Sequence, residues 1–141
     1  MAHEKFTVEV LTPEGEVFND EVEMVSTRTS VGSIGILAHH QPLLGMLDPT
    51  ELRLYRSESD VVRFAQAEGY VQVGPERVLL LVEEAIPADE IDAGAQRERL
   101  QRAESELESA DEGSEQARVA ARDKRRAEAF LRIVEGGAGA A

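Results

Sequence analysis

Val78-Leu79-Leu80-Leu81-Val82-Glu83-Glu84-Ala85-Ile86-Pro87-Ala88-Asp89-Glu90-Ile91-Asp92 is the stretch in which the chain changes character. Its first five residues form an unbroken aliphatic run, and the absence of alternation predicts a strand buried on both faces. Pro87 is the last proline, and Phe130 is the only aromatic residue beyond it. From there Ala, Glu and Arg dominate, a composition that favours helix over strand. Asp89, followed three positions later by Asp92, resembles a capping box, so a helix is expected to open just after Pro87. The domain boundary is placed at residue 88.

Upstream of that stretch the pattern is one of short strands. Phe6, Val8 and Val10 alternate with polar residues, as a sheet with one buried face requires. Val22 with Met24, Leu52 with Leu54, and Val71 with Val73 repeat the period of two. Thr12-Pro13-Glu14-Gly15 fits a tight turn, and Ser57-Glu58-Ser59-Asp60 has the composition of a hairpin tip. Many short strands punctuated by Gly, Pro and Asp imply a sandwich or small barrel.

Downstream, Ala93, Leu100, Ala103, Leu107 and Ala110 form a narrow apolar stripe of helical spacing. Asp111-Glu112-Gly113-Ser114 interrupts it, and Ser114 is positioned to cap a second helix. Ala117, Ala120, Lys124, Ala127, Leu131 and Val134 form the second stripe, with Phe130 and Ile133 beside it. The expected fold is therefore α+β: an N-terminal antiparallel β-sandwich over 1–88, then a C-terminal antiparallel two-helix hairpin over 89–135. Residues 136–141 are expected to be a flexible tail. Alanines bury little area each, so the hairpin should be only marginally stable by itself.

Charge divides as unevenly as composition. The 141 residues contain 28 acids and 15 bases, a net charge of -13, which disfavours a polyanionic partner such as nucleic acid. Residues 104–115 hold six acids (Glu104, Glu106, Glu108, Asp111, Glu112, Glu115) and no base. Residues 117–134 hold six bases against Asp123 and Glu128, a local excess of +4. Arg118, Arg122 and Arg125 or Arg126 share one helical face. That face reads either as an ordinary solvated surface or as a basic helix suited to an acidic protein partner.

Tests for catalytic chemistry come out negative. Without cysteine there are no disulfides, thiolate ligands or thiol nucleophiles. His39 and His40 are adjacent and on extended chain would point to opposite faces, which does not suit a shared metal. Gly32-Ser33-Ile34-Gly35 lacks the Gly-Lys-Ser/Thr ending of a phosphate loop. No nucleophile elbow is present. No apolar run approaches the roughly 20 residues of a membrane span, and the N-terminus lacks the layout of a signal peptide. A non-catalytic protein that does not insert into the bilayer is expected.

One stretch is more specific than these patterns. Val31-Gly32-Ser33-Ile34-Gly35-Ile36-Leu37-Ala38-His39-His40-Gln41-Pro42-Leu43-Leu44 resembles the signature of the epsilon subunit of F-type ATP synthase, Gly-x-x-Gly-Ile-Leu, two residues, then His-x-Pro-Leu-Leu. Leu11-Thr12-Pro13-Glu14-Gly15, Ala67-Glu68-Gly69-Tyr70-Val71-Gln72-Val73 and the segment from Ala85 to Asp92 extend the resemblance. It implies a rotor subunit of the bacterial enzyme, peripheral on the cytoplasmic face of the plasma membrane. The implied partners are the gamma subunit, the membrane ring of c-type subunits, and the alpha and beta subunits of the catalytic head.

By family position, Val31, Gly32 and Ser33 would approach the ring, while Ile36, His40, Pro42 and Leu43 would shape the sandwich and its rotor contact. For His40 a hydrogen-bonded structural role is the plainer assignment. The hairpin would restrain ATP hydrolysis by extending into the head, and Arg118, Arg122, Arg125 and Arg126 are the residues assigned to that contact. Some members bind ATP through Ile or Leu, Asp, two residues, Arg and Ala. Here Ile91 and Asp92 keep the first pair, but Ala95 and Gln96 replace the last, so ATP binding should be weak or absent and no cofactor is expected. Two other readings remain: a β-module docking through its hairpin onto an unrelated scaffold, and a small hydrolase using His39 or His40.

Overall fold

The computed structural model describes residues 3–136. It divides into two compact units, one ending at Pro87 and the other starting at Ala88.

The first unit contains ten strands: β1 (Phe6–Thr12), β2 (Gly15–Val22), β3 (Met24–Thr29), β4 (Gly32–Ile36), β5 (Leu43–Leu47), β6 (Thr50–Tyr55), β7 (Val61–Gln66), β8 (Gly69–Val73), β9 (Arg77–Val82) and β10 (Ala85–Pro87). Their order is β10-β7-β6-β3-β5-β8-β9-β1-β2, with β4 on the other edge of β3. The corner of the sandwich is β3, whose first half (Met24 to Ser26) pairs with β6 and whose last residue, Thr29, pairs with Leu47 of β5. A strand that changes partners along its length lets one chain of pairings serve two packed layers. Nearly all pairs are antiparallel as expected; the exception is β1 with β9, which run parallel from Thr7↔Arg77 to Leu11↔Leu81.

The alternation read upstream is realised in the core. Val8, Val10, Val22, Val25, Ile36, Leu52, Leu54, Val71 and Leu80 are fully buried. The Thr12–Gly15 turn joins β1 to β2, with Thr12 Oγ1 donating to the Gly15 carbonyl and accepting from the Glu14 amide. Gly15 there has φ +134, a conformation that L side chains rarely adopt. The β6–β7 hairpin closes at Ser57–Asp60 through the Arg56 amide and the Asp60 carbonyl, 2.8 Å apart.

Two local expectations are corrected. Val78–Val82 is not buried on both faces: Val78, Leu80 and Val82 point inward, whereas Leu81 is 45% exposed. The alternation is present in the backbone but hidden in the sequence, because the outward positions are leucine too. Asp89 does not open the first long helix either. It lies in a single 3-10 turn (Ala88–Glu90), and Asp92 is the cap, its carboxylate accepting from the Ala95 amide at 3.1 Å.

The second unit has α1 (Ala93–Ser109) and α2 (Glu115–Glu135), packed against each other. Ser114 caps α2 by accepting from the Ala117 amide at 3.1 Å. Ala103, Ala120, Ala127 and Leu131 of the stripes are buried, with Phe130 fully so; Val134 is 37% exposed. Gln96 fills the gap between Ala93 and Leu100 and is buried, which the apolar stripe did not reveal. Arg97 and Arg99 of α1 bridge to Glu135 and Asp123 of α2 at 3.0 and 3.5 Å. Gly136 is the C-cap of α2; the remainder of the tail lies outside the described residues.

Candidate functional site

The β3–β4 hairpin carries the first group of assigned residues. Val31 sits at its tip and is 96% exposed, an unusual position for a branched apolar side chain. Thr29 holds it there: its hydroxyl accepts from the Val31 amide at 3.3 Å and donates to the Gly32 carbonyl at 3.0 Å. Gly32 takes φ +137, and Ser33 follows on the exposed side of β4. The tip is an apolar projection anchored by these two hydrogen bonds, not a phosphate cradle.

The signature residues after it separate into different roles. Ile36 is fully buried in the core, so it shapes the sandwich and offers no surface contact in this structure. His40 is half-buried, its Nδ1 2.8 Å from the Gln41 carbonyl and its amide bonded to the Leu37 carbonyl. His39 has φ 66 and its Nε2 is 2.7 Å from Glu4. Pro42 is exposed, and Leu43 is half-buried against the core. Among the described residues no group of three or more His, Asp or Glu side chains has the geometry to hold a metal ion.

A larger feature lies on the outward face of β5, β8 and β9. Met46 pairs with Tyr70, and Tyr70 pairs with Leu81, so these three stand in one row across three adjacent strands. Their exposures are 59%, 52% and 45%, and Leu44, two residues from Met46 on the same face, is 73% exposed. Gly69 makes the row possible. A Cβ at that position would lie 1.9 Å from the Leu81 carbonyl oxygen, so only glycine lets β8 approach β9 this closely. The site assignment left out Leu44, Met46, Tyr70 and Leu81, although Leu44 and Tyr70 lie within the family-like stretches. Parity finds them: Leu47, Val71 and Leu80 face inward, so the adjacent Met46, Tyr70 and Leu81 must face outward.

On β6 and β7, Glu51 joins the facing pair Arg53 and Arg63, with 2.6 Å to Arg53 Nε and 2.9 Å to Arg63 Nε. The Glu51 hydrogen bond holds the Arg53 guanidinium above its ordinary pKa, against the opposing effect of burial. This ties the two strands together while offsetting the like charges.

The four arginines assigned to the inhibitory contact are not equivalent. Arg118 is exposed and paired with Glu115. Arg122 is half-buried, 3.3 Å from Asp123, with a buried Nε that has no hydrogen-bond partner. Arg125 is exposed, while Arg126 is only 8% exposed. The hairpin therefore presents part of the basic set and withholds the rest. Near the start of α1, Ile91 is half-buried and Asp92 is spent on capping, with Ala95 exposed beside it.

Comparison with known proteins places this geometry. Residues 5–88 match the family model for the ATP synthase, Delta/Epsilon chain, beta-sandwich domain. The ATP synthase epsilon chain of Persephonella marina is 37% identical over 129 residues, covering 91% of this chain and 95% of that protein. That of Priestia megaterium is 40% identical over 102 residues, covering 72% and 75%. Among solved structures, a chain from the Euglena gracilis mitochondrial ATP synthase, determined with OSCP, F1 and c-ring, has a TM-score of 0.74 at 21% identity, covering 96% of this chain and 82% of that one. A chain from the Tetrahymena thermophila ATP synthase central stalk and c-ring has a TM-score of 0.59 at 17% identity, covering 96% and 98%.

Proposed function

The chain belongs to the ATP synthase epsilon chain family, and from that premise we propose that its outward apolar row docks it to the gamma subunit of the central stalk. The single observation that carries this reading is the row Met46, Tyr70 and Leu81 with Leu44. Four large apolar side chains held in register on a sheet face are a surface in want of a partner. Each is already partly buried, so covering the rest is worth roughly 1–2 kcal/mol apiece, a central anchor to which further contacts must add before association is lasting. The Val31 tip is a second, smaller contact, suited to the ring of c-type subunits. No helix among the described residues is long and apolar enough to cross a membrane. The assigned place is peripheral, on the cytoplasmic face of the bacterial plasma membrane, held there by these two contacts to the membrane-bound complex.

The chain itself carries out no chemistry in this account. It transmits rotation between ring and head as part of the stalk, and its hairpin regulates hydrolysis by contact with the alpha and beta subunits. What supports regulation is the partly withheld basic set on α2. A change of packing that uncovers Arg126 and the buried Nε of the half-buried Arg122 adds cations to a face that already shows Arg118 and Arg125. The hairpin's buried residues are mostly alanines, with large apolar side chains only near the end of α2, and the exposed Arg97–Glu135 pair contributes only about 0–1 kcal/mol. An element so held can have two arrangements separated by a few kcal/mol. The start of α1 lacks the arginine of the ATP motif, and its aspartate caps the helix, so we assign it weak or no ATP affinity; low-micromolar binding by calorimetry contradicts that.

The docking reading is tested by affinity purification of the chain from membranes containing the whole enzyme. Gamma and ring subunits are expected to accompany the wild-type chain and to be lost with Leu81→Asp. Retention of gamma by that variant, folded by circular dichroism, overturns the assignment.

A further inference from the structure

Beside the apolar row, next to the β1–β2 turn, the sandwich surface sinks into an open hollow of about 290 Å³. Leu11, Pro13, Tyr70 and Leu81 supply its apolar lining, so two residues of the row are also walls of the hollow. A second hollow, of about 520 Å³, adjoins it and shares Thr12 and Glu83 with it. The charged residues lining this second hollow are all carboxylates: Glu14, Glu16, Glu83 and Glu84. Glu14, Glu16 and Glu83 are exposed, and Glu16 receives a hydrogen bond from Asn19 at 3.0 Å.

We propose that the two hollows form one composite anchor for a segment of the gamma subunit that carries a large apolar or aromatic side chain flanked by Lys or Arg. The inference rests on the docking reading above and adds the chemistry of the occupant. An apolar hollow continuous with an exposed apolar row takes the bulky side chain, which loses water on entry. The flanking cation then meets the carboxylates. An acidic partner segment is repelled by the same rim, and a purely apolar one leaves the rim unused. Charge complementarity at the edge of an interface speeds association and selects the partner, while the buried anchor governs how long the complex lasts. The two hollows therefore predict two separable kinetic effects.

The experiment uses the intact chain and the catalytic head with its gamma subunit, purified without this chain. Association and dissociation are followed by surface plasmon resonance at several salt concentrations. Tyr70→Ala/Leu81→Ala is expected to raise the dissociation rate at least about 30-fold with little change in association. Glu14→Gln/Glu16→Gln/Glu83→Gln is expected to slow association about tenfold at low salt and to flatten its salt dependence, leaving dissociation near wild type. These substitutions lie on the surface, and circular dichroism verifies that both variants are folded. A rim variant that associates at the wild-type rate with the same salt slope overturns the basic-flanked occupant while the docking reading stands. Wild-type chain that fails to bind the head overturns the docking reading itself. Binding to the membrane ring in place of the head, lost in both variants, overturns the assignment of the occupant to gamma.

Discussion

The two units of this chain are built from different materials. The sandwich core is made of Val, Leu, Ile and Phe, with nine of these side chains fully buried on seven different strands. The hairpin buries Ala103, Ala120, Ala127 and Ala129 together with Phe130, Leu131 and Ile133, all three of them near the end of α2. Large side chains in a close-packed interior resist displacement, because every gap forfeits contacts. Alanines let helices approach but forfeit little when the helices part. The contrast fits the proposed division of labour: a close-packed body that holds the row in register, and a hairpin whose helices part at smaller cost.

The largest way to break the comparison is to attack the sandwich at its tightest approach. Gly69→Ala places a Cβ against the Leu81 backbone, which cannot move without opening the β8–β9 pair. The expected loss is about 3 kcal/mol or more of unfolding free energy, read from urea denaturation. A loss under about 1 kcal/mol would mean that the row is not held by this contact. Next in size is Phe130→Ala, which removes the one large hairpin side chain that is fully buried among the described residues. It should cost about 3 kcal/mol locally. In far-ultraviolet circular dichroism the helical signal should melt while the strand signal persists; simultaneous loss of both would contradict the two-material account. The smallest effects belong to the caps. Asp92→Ala and Ser114→Ala each remove an acceptor from an orphan amide, with an expected cost of about 1 kcal/mol confined to hydrogen exchange in the first turn of the corresponding helix.

Much of this was legible in the residues. Period-two alternation located the strands, the Thr12–Gly15 and Ser57–Asp60 segments marked their turns, and Ser114 marked the start of α2. What was hidden had physical reasons. Leu81 is outward, yet it resembles its inward neighbours, and a run of one residue type carries no parity. The parallel pairing of β1 with β9 joins segments about seventy residues apart, a distance at which local pattern says nothing of partner or direction. Gln96 and Arg126 are buried in spite of their polarity, so a rule that assigns polar residues to the surface passes over both. The site assignment drawn from the family signature included Ile36, which belongs to the core, and left out Met46 and Tyr70, which form the exposed row.

The central claim is that this row is the docking face, and hydroxyl-radical footprinting tests it directly on the free chain and on the assembled enzyme. Met46 and Tyr70, 59% and 52% exposed in the chain by itself, are expected to lose most of their reactivity on assembly, while the exposed tip of the β6–β7 hairpin at Glu58–Asp60 keeps its reactivity. Undiminished labelling of Met46 and Tyr70 in the assembled enzyme would contradict the account.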